Sequence, residues 1–115
     1  DEMNLLMKEL GDNPFIGYWH DFGHIQRKHN LLILNHEQFL RRMSSHLIGG
    51  HVNDVKWPAR DHQVPLLGGV VPFERLLPFF PHGVPLVWEL SSRVSSEDIR
   101  AARKLWMEKF PQTLA

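Results

Sequence analysis

Residues 47–54, LIGGHVND, decide the fold. An apolar start, two glycines and an abrupt polar end read as a buried strand whose last residues emerge at a surface. Two other stretches share this form. Residues 15–19, FIGYW, read as a short buried strand that ends in the polar cluster His20-Asp21-Phe22-Gly23-His24. Residues 84–88, VPLVW, read as a third strand, ending at Glu89. The segments around them have helical spacing. Residues 2–10 place Met3, Leu6, Met7 and Leu10 at helical intervals, with Gly11 as a C-cap and Asp12-Asn13-Pro14 as a turn. Asn35, with Gln38 in the reciprocal position of a capping box, starts a helix carrying Phe39, Leu40 and Met43. Pro72 suits the first turn of the next, with Phe73, Leu76 and Leu77 inward and Pro78 and Pro81 ending it. Ser95 with Asp98 caps a last helix that carries Ile99, Ala102, Leu105 and Trp106 on one side. Residues 25–34 and about 55–70 read as loops, the second rich in proline, glycine and charge.

The order is one helix followed by three strand–helix pairs. That alternation predicts an α/β fold with parallel strands and right-handed crossovers. Parallel strands are normally covered on both faces, in keeping with their nearly continuous apolar runs. Three strands alone leave two unpaired edges, which invite aggregation. They could form a small self-sufficient α/β domain, but part of a closed barrel accounts for them better. The helix at 2–10 could instead fold across the open face.

Composition narrows the function classes. The 115 residues fit a single domain, 1–115, and 43% hydrophobic with 23% charged residues is a globular balance rather than a disordered one. Thirteen basic and thirteen acidic residues cancel, so there is no electrostatic footprint for broad nucleic-acid binding. Without cysteine, neither disulfides nor thiolate metal sites are possible. No apolar run approaches the roughly 20 residues of a membrane helix and no signal peptide is visible, so a cytoplasmic location is expected. The chain begins without methionine inside an apparent helix, as a piece of something longer would. Eight histidines in 115 residues is a high number and the first pointer to chemistry.

Each expected strand ends in a residue able to bind a metal: Asp21, His51 and Glu89. Sites in parallel α/β sheets lie at the carboxyl ends of the strands. Gly17 precedes Asp21, and Gly49 precedes His51, at positions of the same parity, leaving room beneath a ligand site. One imidazole and two carboxylates suit a divalent ion such as Mn²⁺, Mg²⁺, Co²⁺ or Zn²⁺. Taken singly, an Asp at a strand end is usually a helix cap and a His a structural one. Glu89, between Trp88 and Leu90, would be costly to bury without a partner. His24 follows Asp21 by three residues and suits a second metal ligand or a substrate-binding acid–base group. His20 has the opposite parity and is expected to point into the helix layer. Asn53 shares the parity of His51, and Asp54 is a candidate to orient a neighbouring histidine. Asp61 and His62 form a candidate substrate or second-metal pair in the loop 55–70. Trp19 and Trp57 could wall the pocket. His29, His36, His46 and His82 are given no role.

The segments YWHDFGH, GGHVNDV, RDHQVPLLGG and LVWEL, in this order and spacing, resemble the carboxyl-terminal part of the xylose isomerase-like TIM-barrel superfamily. That group holds sugar (phosphate) isomerases and epimerases and the endonuclease IV family. The resemblance runs from about residue 3 to 110. It implies about three strand–helix units of a TIM (β/α)8 barrel, whose full form needs about 250 residues. It implies that Asp21, His51 and Glu89 are three ligands of the shared metal. The fourth is a glutamate from a preceding strand that nothing here matches. His24 matches a histidine that binds substrate in the isomerases and a further metal in the endonucleases. Glu89 matches one of two glutamates that exchange the substrate proton in epimerases.

The resemblance therefore implies a divalent-metal-dependent isomerase or epimerase. Its substrate would be a sugar or related polyhydroxy carbonyl compound, reacting by enediolate-type proton transfer. One divalent ion is the expected cofactor. Glu89 and His24 are the catalytic candidates; His24, Asp61, His62 and Trp19 are the substrate-binding candidates. The partner expected is the missing amino-terminal barrel half or another copy of the chain, with no membrane and no nucleic acid. The alternatives are an endonuclease IV-like multi-zinc DNA-repair phosphodiesterase and a degenerate, non-catalytic barrel fragment. Against the first, Asp61-His62-Gln63 departs from the Asp-x-His zinc pair of those enzymes.

Overall fold

Strands β1 (Tyr18–Asp21) and β2 (Leu47–Val52) lie side by side. A hairpin follows, β3 (Asp54–Lys56) and β4 (Arg60–Gln63), and then the third sheet strand, β5 (Leu86–Trp88). The helices are α1 (Glu2–Leu10), α2 (Phe22–Asn30), α3 (His36–Met43), α4 (Phe73–Leu76) and α5 (Ser96–Lys109). The structure is a computed structural model describing residues 2–10, 13 and 15–114, without the side chains of Met3, Asn4, Met7 and Leu10. Gly11, Asp12 and Pro14, where the sequence predicts a cap and a turn, lie outside the described residues.

The main sheet has the order β1-β2-β5 and is wholly parallel. Asp21 pairs with His51, and His51 with Val87. The result is a small α/β domain with a three-stranded parallel sheet. Two strand starts differ from the sequence reading. The first strand begins at Tyr18, and Phe15 is 95% exposed rather than buried. Asn13 accounts for this, because its side chain accepts from Phe15 N and its carbonyl from Ile16 N, which withdraws both amides from the ladder. The third strand begins at Leu86, since Pro85 has no amide to donate.

Residues 25–34 are not a loop, because α2 covers the first half of them. Its polar sequence and a glycine in the first turn hide it from periodicity. Asp21 caps it through Oδ1, which accepts from His24 N at 3.0 Å, and Arg27, Lys28 and His29 sit at its negative end. Residues 55–70 are not wholly loop either, because they contain the antiparallel hairpin, with Asp54 opposite Gln63 and Lys56 opposite Arg60. The caps at Asn35 and Ser95 form as expected, accepting from Gln38 N at 3.0 Å and Asp98 N at 3.1 Å.

Helices pack on one face of the sheet. Phe22, Leu40, Phe73 and Leu76 are fully buried there. Phe22 lies 5.2 Å from Phe73, and Phe73 lies 5.3 Å from Trp106, ring centre to ring centre. The other face is open: Trp19 and Val87 are 38% and 48% exposed. Helix α1 does not close it, since Glu2 borders a cavity with Tyr18, Ile25 and Phe39 on the helix side, and Leu5 and Leu6 are exposed. Among the described residues, no helix is long and apolar enough to cross a membrane.

His20 points into the helix layer, as its parity predicts, and is fully buried. Tyr18 Oη lies 3.0 Å from His20 Nδ1, and His20 Nε2 lies 2.9 Å from His36 Nε2. His36 Nδ1 is 2.7 Å from Gln26 Oε1, and Gln26 Nε2 donates to Asn30 Oδ1. The amide donation fixes Gln26 Oε1 as an acceptor. The proton order follows: His36 carries its proton on Nδ1, His20 on Nε2, and Tyr18 donates to His20. Burial holds both histidines uncharged, with His20 well below its ordinary pKa and His36 lowered to about 3. His29, whose Nδ1 accepts from His36 N, also disfavours a charge on His36. The unfolded chain takes up these protons near pH 6.5 and the folded chain does not. Stability is therefore complete above about pH 6.5 and falls as the pH drops toward 3. The expected loss is up to about 1.4 kcal/mol per pH unit for each histidine. Urea unfolding at pH 7 and pH 5 checks it; equal stability at both would sink this account of the pair.

Candidate metal centre

The three strands deliver Asp21, His51 and Glu89 to one edge of the sheet. Asp21 is the last residue of β1 and pairs with His51 on the central strand. Glu89 follows β5 directly, and its amide donates to Val52 O at 3.1 Å, which holds it beside the end of β2. His51 Nδ1 lies 3.8 Å from Asp21 Oδ2 and 3.3 Å from Glu89 Oε2. One ligand atom from each of the three lies within 4.8 Å of the others. Atoms at about 2.1 Å from a common ion lie at most about 4.2 Å apart, so both distances to His51 fit a shared ion. The donor set, one imidazole and two carboxylates, also fits a borderline or hard divalent cation. Acidic groups gather at surfaces without any ion, but these three come from three separate strands.

Asp21 serves two purposes. Its Oδ1 caps α2 while its Oδ2 faces His51. The helix cap and the candidate ligand are one residue with divided oxygens. Glu89, by contrast, is 43% exposed, so the sequence argument from its burial does not hold. What places it is the bond from its amide to β2.

Two more histidines complete a ring. His24 Nδ1 lies 3.5 Å from Asp21 Oδ2. His62 Nδ1 lies 3.3 Å from both Glu89 Oε1 and the Glu89 carbonyl oxygen. The His24 and His62 rings meet edge to face at 5.5 Å. His62 has φ of 52°, a left-handed conformation tolerated at few non-glycine residues. Its carbonyl accepts from Ser91 N at 2.8 Å, which ties the hairpin to the segment after β5.

The expected pair Asp61 and His62 is split. Asp61 turns away from Asp21, His51 and Glu89 to Arg27 Nη1, at 3.0 Å, and only His62 joins the ring. Trp19 stands against His51, with ring centres 5.5 Å apart. Gly49 makes this possible, because a Cβ there would collide with the indole. Trp57 lies in the hairpin turn between β3 and β4. Asn53 is buried and accepts from Gly23 N at 2.8 Å through Oδ1, which pins the first turn of α2 and with it His24.

Asp54 does not orient a histidine. Its carboxylate accepts from Val55 N at 2.8 Å and from Val71 N at 3.0 Å and so folds residues 64–71 back onto the hairpin. Burial raises its pKa, and hydrogen bonds from backbone amides oppose that rise. Gly69 packs so closely on this carboxylate that a Cβ there would overlap it. Sequence reasoning also passed over His36, which closes the buried network with His20. The Asn directly before it, read only as a cap, gave no sign of that partner.

No family model, no curated protein and no solved structure matches the chain.

Proposed function

We propose that the chain is the carboxyl-terminal part of a xylose isomerase-like TIM barrel. In this reading it belongs to a divalent-metal-dependent isomerase or epimerase of a sugar or related polyhydroxy carbonyl compound. The observation that carries the reading is the approach of Asp21, His51 and Glu89 from three adjacent parallel strand ends. Unrelated surface acids would not be expected at equivalent ends of three strands. A bound divalent ion supplies charge to polarise a carbonyl and to favour proton loss from the neighbouring carbon.

The chain's own residues have divided tasks. Asp21 and His51 hold position, the first fixed by its cap on α2 and the second by the central strand. Glu89 faces His51 with Oε2 and His62 with Oε1, so one oxygen is left to take a proton while the other serves as ligand. His24 and His62 line the same mouth and can hydrogen-bond a hydroxyl. The second glutamate of the reaction comes from outside the residues present. The open sheet face, with Trp19 and Val87 exposed, is where the remaining barrel strands or a second copy would sit. The proposed location is the cytoplasm.

Equilibrium dialysis against Mn²⁺, Co²⁺ and Zn²⁺ tests the reading on the chain as it stands. One ion per chain is expected. Three ions would favour an endonuclease IV-like zinc enzyme, with His24 and His62 as added ligands. No ion at all would leave a degenerate barrel fragment used for binding.

A further inference from the structure

Beside the metal ligands lies a second concavity of about 430 Å³. It opens between the hairpin β3–β4 and the segment joining β5 to α5. Its lining includes Arg60 and Asp61 from the hairpin and Ser91 and Arg93 from the segment. Its charge is not balanced. Asp61, its acid, is already matched by Arg27 at 3.0 Å. Arg60 and Arg93 have no ion-pair partner among the described residues. Ser91 Oγ accepts from Arg93 N at 3.2 Å, which leaves its hydroxyl proton free to donate. Two guanidinium groups and a hydroxyl donor form a set suited to an oxyanion, because arginine's planar fork matches phosphate oxygens.

The same two segments also build one side of the metal ligand ring. Ser91 N donates to His62 O, and His62 Nδ1 meets Glu89 Oε1. Ser91, on the cavity wall, is thus linked through His62 to Glu89. An anionic group held there would place the rest of its molecule at the mouth.

We infer that this cavity is an anion subsite, built by Arg60 and Arg93, which holds the phosphate group of a small phosphorylated substrate. The inference deepens the isomerase reading and rests on it for the identity of the carrier. The subsite itself stands on the cavity and its unmatched charge.

The test is a titration of the metal-free chain with inorganic phosphate, followed by amide shifts in NMR. Shifts at residues 60–63 and 91–94 are expected. The double variant Arg60→Gln/Arg93→Gln should weaken phosphate binding at least tenfold and leave Mn²⁺ binding unchanged. The variant Arg60→Lys/Arg93→Lys keeps the charge but loses the planar fork, and its binding should fall between that of the native chain and that of the glutamine variant. Shifts confined to residues around His51, or undiminished binding in the glutamine variant, would overturn the subsite. A short DNA duplex that displaces phosphate equally well would overturn the small-molecule assignment. The two readings fail separately. Phosphate binding without any Mn²⁺ binding would remove the isomerase and keep the subsite, and the reverse result would remove the subsite alone.

Discussion

Replacing His51 with alanine is expected to abolish divalent-ion binding, a loss of at least about 100-fold, since removal of mere outer-shell partners already costs about 10–100-fold. The central position of His51 is the reason. Its Nδ1 lies 3.3 Å from one carboxylate and 3.8 Å from the other, and no other side chain approaches both Asp21 and Glu89 so closely among the described residues. Without it, two carboxylates remain with no neutral donor between them. The fold should survive, because the imidazole is 35% exposed and lies on the open face rather than in the core. His24→Ala and His62→Ala form the contrast. Each histidine touches only one carboxylate, so each loss should weaken binding about tenfold or less. Calorimetric titration with Mn²⁺ on the three variants decides the matter. Binding that survives His51→Ala but is destroyed by His24→Ala would move the centre to the outer pair.

The largest expected effect on stability lies at Asp54. Asp54→Ala should destabilise the domain by about 3 kcal/mol or more, because each buried donor left unpaired costs about 1–3 kcal/mol. The amides of Val55 and Val71 both bond to this one carboxylate, and Asp54 is 1% exposed. Water cannot easily replace the lost acceptor. A typical domain has only about 5–15 kcal/mol in total, so the loss would be a large share of it. Asp54→Asn retains an oxygen in the same place and should lose less. Urea unfolding of both variants, with amide exchange followed at Val71, measures the difference. A change under 1 kcal/mol in the alanine variant would mean that residues 64–71 do not depend on this carboxylate.

Much of the framework was legible because its signals are local. Asn35 and Ser95 each carry an oxygen that satisfies an orphan amide three residues on, and both caps form as read. The apolar runs around residues 18, 48 and 87 mark the three strands, and the helix-type spans between them imply parallel order. The polar residue at each strand end follows from the same reading. Helix α2 was not legible, because FGHIQRKHN has few apolar residues and gains its hold from Asp21 and from Asn53, thirty residues after Gly23. The hairpin β3–β4 was hidden for a similar reason. Its order depends on Asp54 gathering amides from residues 17 positions away as well as next to it.

By itself, then, the sequence determined the alternation of strands and helices, the parallel sheet and the residues at the strand ends, since backbone propensity, side-chain parity and capping act over a few positions. Only the tertiary structure decided which neighbours each polar group meets. It turned Asp61 to Arg27 and His62 to Glu89, joined His20 to His36 in the core, and left Glu89 partly in solvent. The physical reason is that hydrogen bonds and ion pairs act over about 3–4 Å in space, whatever the separation along the chain.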